Sequence, residues 1–82
     1  MQKSLILLGT VGCHLCEQAE HILQTLYVPY QYVDIIEDEK LLEAYQTSIP
    51  VLLMSTGGVE KTLHWPFNDN MVGLWMREEK QS

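Results

Sequence analysis

Leu5-Ile6-Leu7-Leu8 is an unbroken apolar row, stopped at once by Gly9-Thr10-Val11-Gly12. No other feature constrains the fold as much. A strand with one wet face alternates apolar and polar residues. A short continuous apolar run bounded by turn residues instead fits a strand buried on both faces, as in a parallel sheet covered by helices. A second run of this kind, Val51-Leu52-Leu53-Met54, follows Pro50. Strands of this type need helices above and below them. The 82 residues suffice for one domain with one modest core, read here as residues 1–82.

The intervening segments supply those helices. From His14 to Tyr27 the apolar residues Leu15, Ala19, Ile22, Leu23 and Leu26 recur at the spacing of one helix face, with Glu17, Gln18, Glu20, His21 and Gln24 opposite. Pro29 blocks continuation. Tyr30 to Ile36 is aromatic and β-branched and is expected to form a strand. Glu37-Asp38-Glu39 puts negative charge where a helix starts, and Leu41, Leu42, Ala44 and Tyr45 give that helix its apolar side. Ser55-Thr56-Gly57-Gly58 is a hairpin signal between the third strand and a fourth, Val59 to Leu63. Pro66 ends the fourth strand, and Asn68 or Asp69 can cap a last helix. Its expected core face is Met71, Leu74 and Trp75, weakened by Gly73 at about 1 kcal/mol. Arg77 to Ser82 is polar and expected to fray. The element order is β-α-β-α-β-β-α, in which the first βαβ unit pairs its strands in parallel.

Charge narrows the function. A net charge of −6 argues against nucleic acid, since phosphate contacts need a basic surface. No apolar run is long enough to cross a membrane, and no basic amphipathic helix suggests attachment to one. The amino end reads as a strand rather than a signal peptide, because its apolar stretch is short and lacks a small-residue cleavage site.

Cys13 and Cys16 are the whole cysteine complement. Closing so short a loop removes little entropy from the unfolded chain, so a structural staple explains the pair poorly. Without a secretory signal, the pair points to a reversible role in a reducing compartment, the cytoplasm. It follows a buried strand and opens a helix. Free N–H groups and the positive dipole end favour an anion there, which favours the Cys13 thiolate. Cys16 lies one turn inside, nearer the buried face, and is expected to be less exposed. The asymmetry assigns roles: Cys13 attacks a disulfide, and Cys16 resolves the mixed disulfide. His14 between them either modulates the pair as an imidazolium or is simply solvated.

Gly12-Cys13-His14-Leu15-Cys16-Glu17-Gln18-Ala19, Tyr32-Val33-Asp34-Ile35, Ser48-Ile49-Pro50-Val51-Leu52 and Trp65-Pro66-Phe67 span nearly the whole chain. In these pieces, and in their order, the chain resembles the small glutaredoxin-like proteins of the thioredoxin superfamily. The resemblance implies an α/β thioredoxin-like fold, a four-stranded mixed sheet with helices on both faces. It also implies a dithiol–disulfide oxidoreductase with Cys13 and Cys16 catalytic and Gly12 and His14 modulating. Pro50 is then cis and turns the Ile49 backbone toward the cysteines, where a substrate strand can add. Trp65 and Phe67, either side of Pro66, form either a substrate-contacting rim or core cover. The expected partner is a disulfide-containing protein or a small thiol, met by a monomer.

The sequence departs from typical glutaredoxins at the glutathione contacts. Gly9-Thr10-Val11-Gly12 stands where a lysine is usual, and the Gly-Gly pair sits in the hairpin instead of after the last strand. No cofactor is expected. Glutathione stays open as the reductant, but these departures count against it. Asp34 is either a proton carrier for Cys16 or a turn-side cap. His21 reads as solvated and His64 has no assignable role. Two other functions remain open. The cysteines can hold zinc or part of an iron–sulfur cluster, although a closed zinc site lacks its remaining ligands. The domain can also be a binding module whose cysteines do not turn over.

Overall fold

The computed structural model describes residues 4–56 and 58–77. The two unbroken apolar runs become the central strands. β1 (Ser4–Gly9) and β3 (Val51–Thr56) pair antiparallel, with Leu5 opposite Met54 and Leu8 opposite Val51. β2 (Gln31–Asp34) flanks β1 in parallel, and β4 (Val59–His64) flanks β3 antiparallel, giving the order β2-β1-β3-β4. α1 (His14–Thr25) joins β1 to β2, α2 (Glu39–Tyr45) joins β2 to β3, and α3 (Asp69–Arg77) follows β4.

Alternation along the strands divides the apolar side chains between two faces. Leu5 and Leu7 of β1 and Leu52 and Met54 of β3 pack with Ala19 and Leu23 of α1, Val72 and Trp75 of α3, and Phe67. Leu8, Val51 and Ile35 form a smaller cluster on the other face, covered by Leu41, Leu42 and Tyr45 of α2. Each fully buried aliphatic side chain contributes roughly 1.5–3 kcal/mol relative to exposure, which makes the larger cluster the main source of stability. The expected element order and the mixed sheet with helices on both faces are both observed. Among the described residues, no helix is long and apolar enough to cross a membrane.

The structure corrects four details. The buried stripe of α1 is Cys16, Ala19 and Leu23, while Leu15 is 42 % exposed. Cys16, a small apolar side chain in this setting, takes the core position that the periodicity assigned to Leu15. α1 also stops at Thr25 instead of Tyr27. Tyr27 has φ +58, its N–H reaches the Gln24 carbonyl, and the Val28 N–H reaches the Leu23 carbonyl. This is a Schellman end with a tyrosine in the left-handed position.

β2 is shorter than Tyr30 to Ile36. Asp34 ends it by accepting the Ile36 N–H at 3.1 Å, which starts a 3-10 turn at Ile35–Glu37. Asp38 then caps α2, accepting from Lys40 and Leu41. In α3 the core-facing pair is Val72 and Trp75, and Met71 and Leu74 point outward. That helix is apolar around most of its circumference, so periodicity alone does not choose its inward side. Asn68 is its cap, accepting the Met71 N–H at 2.8 Å. Gly57 of the hairpin signal and the polar residues from 78 onward lie outside the described residues.

Candidate functional site

The strand register brings four chain segments to one edge of the sheet. β1 and β2 both finish there, with Gly9 opposite Asp34. β3 starts there, and Val51 faces Leu8 on one side and His64, the last residue of β4, on the other. The cysteine loop, Ile49-Pro50, Asp34 and Trp65-Pro66 therefore all emerge at this edge.

The loop from β1 into α1 is a tight turn. The Cys13 N–H donates to the Thr10 carbonyl at 3.3 Å, and Gly12 sits at φ +83. That conformation at the third turn position favours glycine. Cys13 is the N-cap of α1 with extended φ and ψ of −88° and 108°, and its Sγ accepts the Cys16 N–H at 3.2 Å. A cap side chain normally offers oxygen to these unpaired donors. Here sulfur takes that place, so the helix end that favours an anion is aimed at Cys13 Sγ. The two cysteines are joined as a disulfide with their Cα atoms 5.2 Å apart. Cys16 is 1 % exposed, while Cys13 is only half-buried.

Gly9 explains how α1 can start so close to the sheet. It is buried and shares the α1-facing side of β1 with Leu5 and Leu7. A methyl group at Gly9 would lie 2.6 Å from Tyr32 Oη, 3.0 Å from Cys16 Sγ and 3.1 Å from Cys16 Cβ. The Tyr32 hydroxyl donates to the Thr10 carbonyl at 3.2 Å, the same oxygen that accepts from Cys13. Partial burial, reinforced by the carboxylates of Asp34, Glu20 and Glu17, raises the Tyr32 phenol above its ordinary value of 10.0. Tyr32 therefore remains a donor at neutral pH. Neither Gly9 nor Tyr32 was assigned to the site from sequence. The available signal was a glycine at the end of a buried strand, which often marks a close approach by another element.

The other expected site residues occupy varied surroundings. His14 is 83 % exposed at its side chain, with Nδ1 3.9 Å from Glu17 Oε1. Pro50 is fully buried, and Ile49 packs on the smaller cluster. The Ile49–Pro50 and Trp65–Pro66 bonds are cis, and the Ile49 N–H donates to the Tyr45 carbonyl at 3.2 Å. Trp65 is half-buried against the larger cluster and meets Phe67 edge-on at 4.9 Å, with Phe67 itself in the core. Asp34 is the turn cap described above. His21 and His64 are exposed. Among the described residues, no group of three or more His, Cys, Asp or Glu side chains is placed to hold a metal ion.

A disulfide at a helix start on this sheet edge invites comparison with known proteins. The family model of the glutaredoxin-like domain matches residues 4–77. The crystal structure of the structural-genomics target XcR50 from X. campestris superposes with a TM-score of 0.78 at 33% identity, covering 94% of this chain and 100% of that one. The solution structure of Ne2328 from Nitrosomonas europaea gives 0.72 at 25% identity, covering 92% of each chain. Thioredoxin O2 from Arabidopsis thaliana, solved in its oxidised state, shares the fold alone, at a TM-score of 0.67 and 20% identity over 95% of this chain and 76% of that one. A comparison with curated proteins gave no match. With residues 4–77 matched by the family model and the four-stranded mixed sheet and its helices superposing on the solved structures, the chain belongs to the glutaredoxin-like domain family and has the thioredoxin-like fold.

Proposed function

We propose that the protein is a dithiol–disulfide oxidoreductase working through Cys13 and Cys16. The observation that carries this reading is the asymmetry of the pair. Cys13 Sγ sits at the helix start and accepts a backbone N–H, while Cys16 lies behind it at 1 % exposure. In the reduced protein the Cys13 thiolate attacks one sulfur of a substrate disulfide. The new bond joins Cys13 to that sulfur, and the other substrate sulfur leaves with the electron pair as a thiolate. The Cys16 thiolate then attacks Cys13 Sγ, forms the internal disulfide and releases the second substrate sulfur. A thiol reductant reverses the sequence, entering at Cys13.

The surroundings of Cys13 suit a protein or peptide substrate. Val11 is 85 % exposed and Leu15 is exposed beside the pair, and Trp65 emerges at the same sheet edge. Together they offer an apolar rim. Ile49 keeps its N–H on Tyr45, so its carbonyl is the group left to meet a substrate backbone. A reducing compartment such as the cytoplasm, a monomeric enzyme and either a protein dithiol or glutathione as reductant fit this reading.

The test is a trap. The Cys16→Ser protein, mixed with a disulfide-bonded peptide, should accumulate a mixed disulfide at Cys13, and the Cys13→Ser protein should not. A trap that forms through Cys16 inverts the roles, and the absence of any adduct overturns the reading.

A further inference from the structure

We infer that Tyr32 is the hydrogen-bond donor that stabilises Cys16 as a thiolate when the internal disulfide opens. The inference deepens the oxidoreductase reading and rests on it. Cys16 is the sulfur that must carry charge with almost no water around it, and no buried polar or charged residue occurs among the described residues. An unpaired buried anion is costly, so the exchange needs a donor at that sulfur. Gly9 provides the opening for one. The point where its side chain would begin lies 2.6 Å from Tyr32 Oη and 3.0 Å from Cys16 Sγ, so the hydroxyl and the sulfur border the same gap with no atom of Gly9 between them.

In the disulfide form Cys16 Sγ carries no charge, and the hydroxyl donates to the Thr10 carbonyl. That carbonyl keeps the Cys13 N–H when the phenol turns away. A thiolate is the stronger acceptor of the two, because hydrogen bonds to ionised groups are roughly twice as strong as neutral ones.

When a thiolate reductant attacks Cys13 Sγ, a new S–S bond forms there and the Cys13–Cys16 bond breaks. The electron pair stays on Cys16 Sγ. Tyr32 keeps its proton throughout and turns its O–H from Thr10 to the new anion. The phenol is suited to donate rather than transfer its proton. Its partial burial and the carboxylates that act on it, Asp34 on its own strand and Glu17 and Glu20 on α1, all hold it protonated. The same bond acts in reverse, when the Cys16 thiolate attacks to resolve a mixed disulfide.

The test uses the whole chain with 13C-labelled cysteine and follows each Cβ shift against pH in the reduced protein, with no substrate present. Tyr32→Phe should raise the Cys16 titration midpoint by about one pH unit or more, as expected for one lost hydrogen bond to a charged group. Cys13 should move much less. Reduction of the oxidised Tyr32→Phe protein by dithiothreitol should slow by about three- to tenfold, since a poorer leaving thiolate departs more slowly. Site-specific 3-fluorotyrosine at position 32, a stronger donor of nearly the same size, should shift the midpoint the opposite way and keeps the test valid if the phenylalanine variant misfolds. Opposite shifts from the two replacements are not expected of a merely structural tyrosine. A Cys16 midpoint unmoved by both replacements overturns the role of Tyr32 alone. A wild-type disulfide that fails to exchange with dithiothreitol or a disulfide peptide overturns the oxidoreductase reading.

Discussion

The close approach at Gly9 makes a quantitative expectation for Gly9→Ala. The added methyl would lie 2.6 Å from Tyr32 Oη and 3.0–3.1 Å from the Sγ and Cβ of Cys16. Tyr32 can swing aside, but only by giving up its bond to the Thr10 carbonyl. Cys16 is held by the disulfide and the first turn of α1, so that turn has to shift. Overpacking of this kind costs about 1–3 kcal/mol, and the lost hydrogen bond roughly 0.5–1.5 kcal/mol. Gly9 does not occupy a positive φ, so alanine recovers about 0.4–1 kcal/mol by restricting the unfolded chain. The net loss is about 0.5–4 kcal/mol. At about 4–8 °C per kcal/mol for a domain of this size, the thermal midpoint of the oxidised protein should fall by roughly 2–30 °C. Gly73→Ala is the internal control. Nothing lies within 4 Å of its would-be Cβ and it sits inside α3, so the same change there should stabilise by about 0.5–1 kcal/mol. Gly9→Ala unfolding at or above the wild-type temperature would refute the packing argument.

Three further expectations concern the end of α1, the tyrosines and the cysteine pair. Tyr27 is 92 % exposed at φ +58, so Tyr27→Gly should remove backbone strain and stabilise by about 0.5–1 kcal/mol in denaturant titration; a destabilised variant would mean the side chain makes contacts that matter. Partial burial raises the phenols of Tyr30, which also donates to Glu20, and of Tyr32, so the fold favours their neutral forms. That stabilisation is complete below the ordinary tyrosine value of 10.0 and is lost as pH rises through the raised folded values; the Tyr30→Phe, Tyr32→Phe double variant should show a shallower alkaline decline than wild type, and parallel curves would contradict the assignment. In the reduced protein Cys13 should alkylate at least about tenfold faster than Cys16 at neutral pH, read by peptide mass spectrometry, and equal rates would remove the basis for their separate roles.

The sheet was legible because its signals are local. Two unbroken apolar runs specify the central strands, and proline and glycine mark their ends. The cysteine pair was legible for the same reason, since its place between a buried strand and an amphipathic helix is visible in one dimension. Gly9 and Tyr32 were not. Their meeting depends on the pairing of β1 with β2, which puts residues 23 positions apart on one face beside α1. Leu15 was misassigned because the helix face was read from Leu, Ile and Ala alone, although Cys16, already expected near the buried side, also packs as a small apolar side chain. Val72 was overlooked because Met71, Leu74 and Trp75 make an equally good stripe on an apolar helix, and only the neighbouring sheet and Phe67 decide between them.

The central claim is directional disulfide exchange through Cys13 and Cys16. Its most direct measurement mixes reduced protein with a disulfide-bonded peptide, quenches the reaction with an alkylating agent at successive times, and weighs both partners by mass spectrometry. The expected result is a transient adduct at Cys13, followed by an internal Cys13–Cys16 disulfide in step with the appearance of reduced peptide. A protein that stays reduced while the peptide keeps its disulfide would contradict the claim.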